Sequence, residues 1–153
     1  MIRLTERSHI PAPPQRIWAW FEAMEGHYRD WHPEHIEWRT LRGTPVTAGS
    51  VIFFDEWIGR FRLAMRCRIA ESQPGRCFRY EGLWPFWLVR AGGSFMLEPV
   101  AGGSDLIAEV HIGWSVPLVG SLLDRLIASV FPLSELKRHM AEEGRNLARI
   151  LNK

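Results

Sequence analysis

The period of the hydrophobic pattern changes once along this chain, and that change sets its fold class. Up to about residue 115 apolar and polar residues mostly alternate, as in half-buried strands. From Pro117 they recur at helical spacing: Leu118, Leu122, Leu126, Val130, Leu133, Leu136, Met140 and Leu147 keep one apolar stripe. Ile2–Ile10 reads as a first strand, ended by Pro11-Ala12-Pro13-Pro14. Pro14 suits the first turn of a helix carrying Ile17, Trp20 and Phe21 on one face. A second short helix or turn covers His27–Trp31, and Pro33 biases His32 away from helical conformation, so His32–His35 is a helix exit. After Ile36–Leu41 and the turn-rich Arg42–Pro45, strands are expected over 51–58, 60–71, 76–83, 86–99 and 104–115, joined by short turns and therefore antiparallel. In the final helix Pro132 is expected to introduce a kink without ending it. The outcome is α+β: two short helices after the first strand, then a curved antiparallel sheet of about seven strands whose apolar face the long C-terminal helix covers. The 153 residues form one domain, 1–153.

Three separated segments carry residues that could converge. His139 and Glu143 stand four apart on the last helix and can aim an imidazole and a carboxylate at one point, although alone they could equally form a surface ion pair. Glu56 lies in the apolar run Val51–Ile58, where a buried carboxylate is costly without a partner. Ile52, Phe54 and Ile58 share its face; Asp55 is the rival, on a face carrying Val51, Phe53 and Trp57. His32 and His35 flank Pro33 and either could be a ligand, while Glu34 between them is expected to be solvated. Two histidines and two glutamates suit zinc or a similar divalent ion. His111, on an alternating strand, is a structural histidine or a proton donor in the interior.

Composition narrows the partners. Eight Trp and eight Phe exceed what a small core needs unless some line a pocket, and Trp84, Phe86, Trp87, Phe95 and Trp114 around a hollow favour a flat, largely apolar guest. A formal charge of +2 implies no polyanionic partner, and the arginines of 60–68 alternate with apolar residues as a strand's wet face does, so nucleic acid is not expected. Cys67 and Cys77 read as reduced, buried thiols. The stretch Val116–Phe131, broken by Asp124 and Arg125, is too short to span a bilayer; with no secretory signal pattern, the expected location is cytoplasmic.

The element order resembles the helix-grip superfamily of START-related lipid carriers, polyketide cyclases and birch-pollen-allergen-like proteins, often called SRPBCC. The resemblance covers nearly the whole chain and rests on Ile10–Trp18 at the opening of the first helix, the Gly102-Gly103-Ser104 turn and the terminal helix. It implies an apolar ligand held between sheet and long helix; only some members are catalysts. A narrower resemblance, to the diacetylphloroglucinol and phloretin hydrolase group, rests on Tyr28–His35, a glutamate on a following strand, the final-helix His-x-x-x-Glu and Asn146 after it. Those zinc enzymes cleave a carbon–carbon bond next to an aromatic ketone. The resemblance implies His35, Glu56, His139 and Glu143 as metal ligands, zinc as cofactor, and Tyr28 near the substrate; Tyr28 or His111 would then move a proton. The expected function is binding, with hydrolysis as its enzymatic form, of a hydrophobic aromatic or polyketide-like small molecule. The alternatives are a metal-free carrier or cyclase-like protein, and a module that dimerises through the apolar helix 118–131.

Overall fold

The computed structural model describes residues 1–153. Seven strands form one antiparallel sheet: β1 (Ile2–Ile10), β2 (His35–Arg42), β3 (Val51–Ile58), β4 (Phe61–Gln73), β5 (Cys77–Gly82), β6 (Gly92–Val100) and β7 (Gly103–Ile112). Their order is β1-β7-β6-β5-β4-β3-β2, so β1 and β2 are the two edges. Helices α1 (Pro14–Glu22) and α2 (Met24–Trp31) connect one edge to the other, which explains how strands adjacent in sequence end farthest apart in the sheet. Helices α3 (Val119–Val130) and α4 (Leu133–Leu151) follow the last strand. This is the helix-grip arrangement, with α4 packed on the sheet.

Register shifts bend the sheet where two strands disagree by a residue: between His35 and Glu37 and between Thr40 and Arg42 on β2, and between Ile69 and Glu71 on β4. The concave side holds an aromatic core built around Phe21, Trp31, Phe78 and the half-buried Phe95, whose rings meet at centroid separations of 5.3–6.2 Å. Both cysteines are free; Cys67 is buried and Cys77 partly so.

Helix α4 lies close against β1 at Gly144, where a Cβ would collide with the Ser8 side chain. The missing side chain lets the helix settle, and it does so one residue after Glu143. Replacing Gly144 with Ala is expected to destabilise the protein by about 1–3 kcal/mol through overpacking, lowering the melting temperature by roughly 2–12 °C. Ser8→Gly in the same chain should restore most of that loss; an unchanged melting temperature in Gly144→Ala would refute the close approach.

Two expectations about elements need correction. Pro132 does not merely kink the last helix: Phe131 is extended at φ −88°, ψ 134°, and α3 and α4 are separate. The ring of Pro132 disfavours helical geometry at the residue before it, and proline offers no N–H to continue the ladder. Nor does a strand begin at 86. Phe86–Val89 form a single 3₁₀ turn, and β6 starts at Gly92.

Candidate metal centre and ligand cavity

Two independent local rules bring the polar cluster together. His35 is the first residue of β2 and faces Glu56 of β3 as its direct cross-strand partner, with the neighbouring register shift rotating the strand end inward. His139 and Glu143 share one face of α4, one turn apart. The ligating atoms of all four lie within 4.8 Å of one another, and the residues are buried. His35 Nε2 is 2.9 Å from Glu143 Oε1, 3.2 Å from His139 Nε2 and 3.3 Å from Glu56 Oε2. His139 Nε2 is 3.3 Å from Glu143 Oε1 and 3.6 Å from Glu56 Oε2.

Protonation states follow from the surrounding bonds. His35 Nδ1 donates to the Tyr28 carbonyl at 2.8 Å, which turns Nε2 of the ring to the cluster. That nitrogen faces the carboxylate oxygens of Glu143 and Glu56 and another imidazole nitrogen. Without a shared cation, acceptors would face acceptors. In the protein alone the cation is a proton on His139: burial opposes its charge, but hydrogen bonds to Glu143 and Glu56 and their charges prevail and raise its pKa to about 10. Burial likewise pushes Glu143 up, yet its bonds to His139 and His35 and their charges hold it down at about 2.

The donor set fits a divalent metal. Bonds of 2.0–2.2 Å to a tetrahedral zinc require ligand atoms about 3.3–3.6 Å apart. The five separations given above run from 2.9 to 3.6 Å. Two imidazoles and two carboxylates would make the loaded site electrically neutral.

Further residues hold the four in place. The Tyr28 ring stacks on His35 at 3.9 Å, and its hydroxyl donates to Glu56 Oε2 at 2.6 Å. Burial and the Glu56 charge keep the Tyr28 phenol well above its ordinary value, so it is a neutral donor. Trp31 Nε1 donates to the Glu143 carbonyl at 2.9 Å, and Asn146 Nδ2 returns a bond to the Trp31 carbonyl at 2.9 Å, tying α2 to α4.

The rival ligands are engaged elsewhere. His32 Nδ1 accepts the Glu34 N–H at 3.0 Å, so its Nε2 carries the proton and donates to Glu142 at 2.6 Å. Neither ring nitrogen of His32 is left to turn toward the four. Asp55 is buried, but on the other face of β3, where Arg62 holds both its oxygens at 3.1 and 2.7 Å. His111 stands beside Arg3, Glu109 and Arg79, across the sheet from Val110, and makes no hydrogen bond to the cluster; it reaches the cavity only past Gly92, whose missing side chain leaves room for its ring. Burial first, and then Arg3, lowers its pKa.

Glu34 departs from the solvated state expected of it. It accepts the Gly59 N–H at 2.9 Å and Arg138 at 2.9 Å, and its Oε1 lies 3.7 Å from His139 Nδ1, a buried nitrogen with no hydrogen-bond partner. No spacing rule links Glu34 to Gly59 or Arg138, and so the sequence carried no sign of this role.

Above the cluster lies a cavity of about 310 Å³, walled by Phe54, Leu63, Met65, Phe86, Val110 and Ile127 among others. Glu56 and Tyr80 border both this cavity and a smaller chamber of about 50 Å³ that reaches Tyr28, His139 and Glu143. Phe86 and Phe95 line these spaces as expected; Trp84 and Trp87 do not, being 68% and 55% exposed at the surface.

Comparison with known proteins follows the same lines. The family described as "Polyketide cyclase / dehydrase and lipid transport" matches residues 1–149. No curated protein sequence matches. Among solved structures, the ginseng major latex-like protein 151 from Panax ginseng superposes with a TM-score of 0.76 at 10% identity, covering 99% of this chain and 98% of that one. A protein from Thermus thermophilus gives 0.69 at 15% identity, covering 99% and 96%. A protein from Rhodobacter sphaeroides gives 0.65 at 21% identity, covering 98% and 91%. At these identities the likeness is one of fold.

Proposed function

Since this chain belongs to the polyketide cyclase / dehydrase and lipid transport family, we propose that it binds a flat apolar molecule, aromatic or polyketide-like, above a divalent metal held by His35, Glu56, His139 and Glu143, and hydrolyses it. One observation carries the reading: four potential ligands from β2, β3 and α4 meet at spacings suited to zinc, at the one wall of an apolar cavity that carries a carboxylate. A bound metal supplies a Lewis acid that polarises a carbonyl or activates water. The chain's own groups do the rest. The apolar walls orient the guest and exclude bulk water, and Glu56 directs its polar end toward the inner chamber. Tyr28 Oη keeps a proton there, available to an oxyanion as it develops.

Elemental analysis of protein purified without added metal tests the proposal. About one equivalent of zinc or another divalent ion supports it; metal-free protein that keeps an apolar ligand supports a carrier. The carrier reading draws on the cavity's lining, which is apolar apart from Glu56, Tyr80 and His111.

Glu34 supplies a prediction for the metal site. As the carboxylate nearest His139 Nδ1, it favours the tautomer that frees Nε2 for the metal. Glu34→Ala is expected to weaken zinc binding by roughly 10–100-fold, measured by chelator competition. Affinity equal to the parent protein's would assign that tautomer to the fold alone.

A further inference from the structure

The mouth of the larger cavity lies between the 3₁₀ turn and α3: Phe86 and Val89 line it from one side, Leu126, Ile127 and Val130 from the other. The outward sides of these segments are also apolar. Trp84, Trp87, Leu118, Leu122 and Val130 are all more than half exposed, a concentration of large apolar side chains that monomeric surfaces seldom carry. Three arginines stand among them, while the nearby acids Glu81 and Glu109 are already ion-paired. Arg90 follows the turn, Arg125 stands on α3, and Arg60 adjoins Phe61, which lines the cavity and packs on Phe131; none of these three arginines has an ion-pair partner. The one acid on α3, Asp124, is bound by the amino group of Met1.

From this we infer that the rim of the cavity mouth docks on an anionic lipid surface, with Trp84, Trp87 and α3 seated at the headgroup level and Arg60, Arg90 and Arg125 meeting lipid charge. Exposed tryptophan and unpaired arginine together suit a bilayer interface. A symmetric second copy would set the same three cations against their equivalents with no free acid on these segments to meet them, which argues against a homodimer through this face. Docking in this pose opens the cavity toward the lipid, so an apolar guest passes in without crossing water. The inference does not depend on the metal.

Co-sedimentation of the intact protein with vesicles tests it. Vesicles of phosphatidylcholine containing about 30 mol% phosphatidylglycerol should bind the protein, pure phosphatidylcholine should not, and added salt should release it. Trp84→Ser with Trp87→Ser should reduce binding at least about tenfold. Arg90→Glu with Arg125→Glu should reduce it by at least about 25-fold, taking roughly fivefold for each cation. Near-ultraviolet circular dichroism unchanged by the arginine pair, both members of which are exposed, would show that a loss of binding is not a loss of fold. Absence of binding, equal binding to both vesicle types, or indifference to both pairs of substitutions would overturn the inference. So would dimerisation abolished by the tryptophan pair, measured by sedimentation velocity.

Discussion

Replacing His139 with alanine is expected to remove stoichiometric zinc from the purified protein and weaken its affinity by well over about a hundredfold, the upper end of what loss of an outer-shell partner costs. The residue contributes both ring nitrogens: Nε2 to the cluster, and Nδ1 toward Glu34. Glu56→Gln should also weaken binding, because the substitution removes one charge while leaving an amide oxygen for the Tyr28 hydroxyl. Competition titration against a chromogenic chelator reads both. If either variant bound zinc as tightly as the parent chain, the ion would sit elsewhere and the four residues would be a buried hydrogen-bond network. The assay is clean because folding of His139→Ala can be followed separately through the near-ultraviolet signal of the aromatic core. Loss of zinc with that signal intact assigns the metal to this cluster.

How much of this centre was legible in the sequence depended on whether a local period decided each position. The i, i+4 spacing of His139 and Glu143 and the alternation Ile52-Phe54-Glu56-Ile58 are local, and in the fold these residues are buried on α4 and β3. Preference for Glu56 over Asp55 was legible only as a tilt, since both faces of β3 carry apolar residues; Arg62, seven residues later on β4, holds Asp55 on the outer face. The choice between His32 and His35 could not be read from spacing. In the fold the Glu34 N–H fixes the His32 tautomer and Tyr28 stacks over His35, two contacts that no spacing rule predicts. Trp84 and Trp87 misled because composition places aromatics inside and says nothing of which surface a turn exposes. The break at Pro132 was visible as a proline, but the sequence alone does not separate a bend from a stop; in the fold Phe131 is extended and its ring packs edge-on against Phe61.

Zinc is expected to stabilise the protein more as the pH rises, while the metal-free protein is most stable on the acid side of neutrality. In the metal-free chain Glu143 is held at about 2 against an ordinary value of 4.5, so its contribution is complete above pH 4.5 and fades as the pH falls toward 2. His139 is held at about 10 against 6.5, so its contribution is complete below pH 6.5 and fades as the pH rises toward 10. Both shifts come largely from one imidazolium–carboxylate cluster and are counted once, at about 3 kcal/mol. Metal-free melting temperatures should therefore peak between pH 4.5 and 6.5 and fall by roughly 6–12 °C toward pH 10. Zinc reverses the trend because it needs the free Nε2 lone pair: near pH 7 its binding expels about one proton from His139, so affinity climbs with pH until His139 is neutral unaided. At a thousandfold excess over its dissociation constant the ion adds about 4 kcal/mol, or roughly 8–16 °C. Thermal scans with zinc and with a chelator should thus diverge from pH 5 to pH 9, and titration calorimetry in buffers of different ionisation enthalpy should report the released proton. Parallel curves across that range, with no proton released, would mean that His139 never exchanges its proton for a metal.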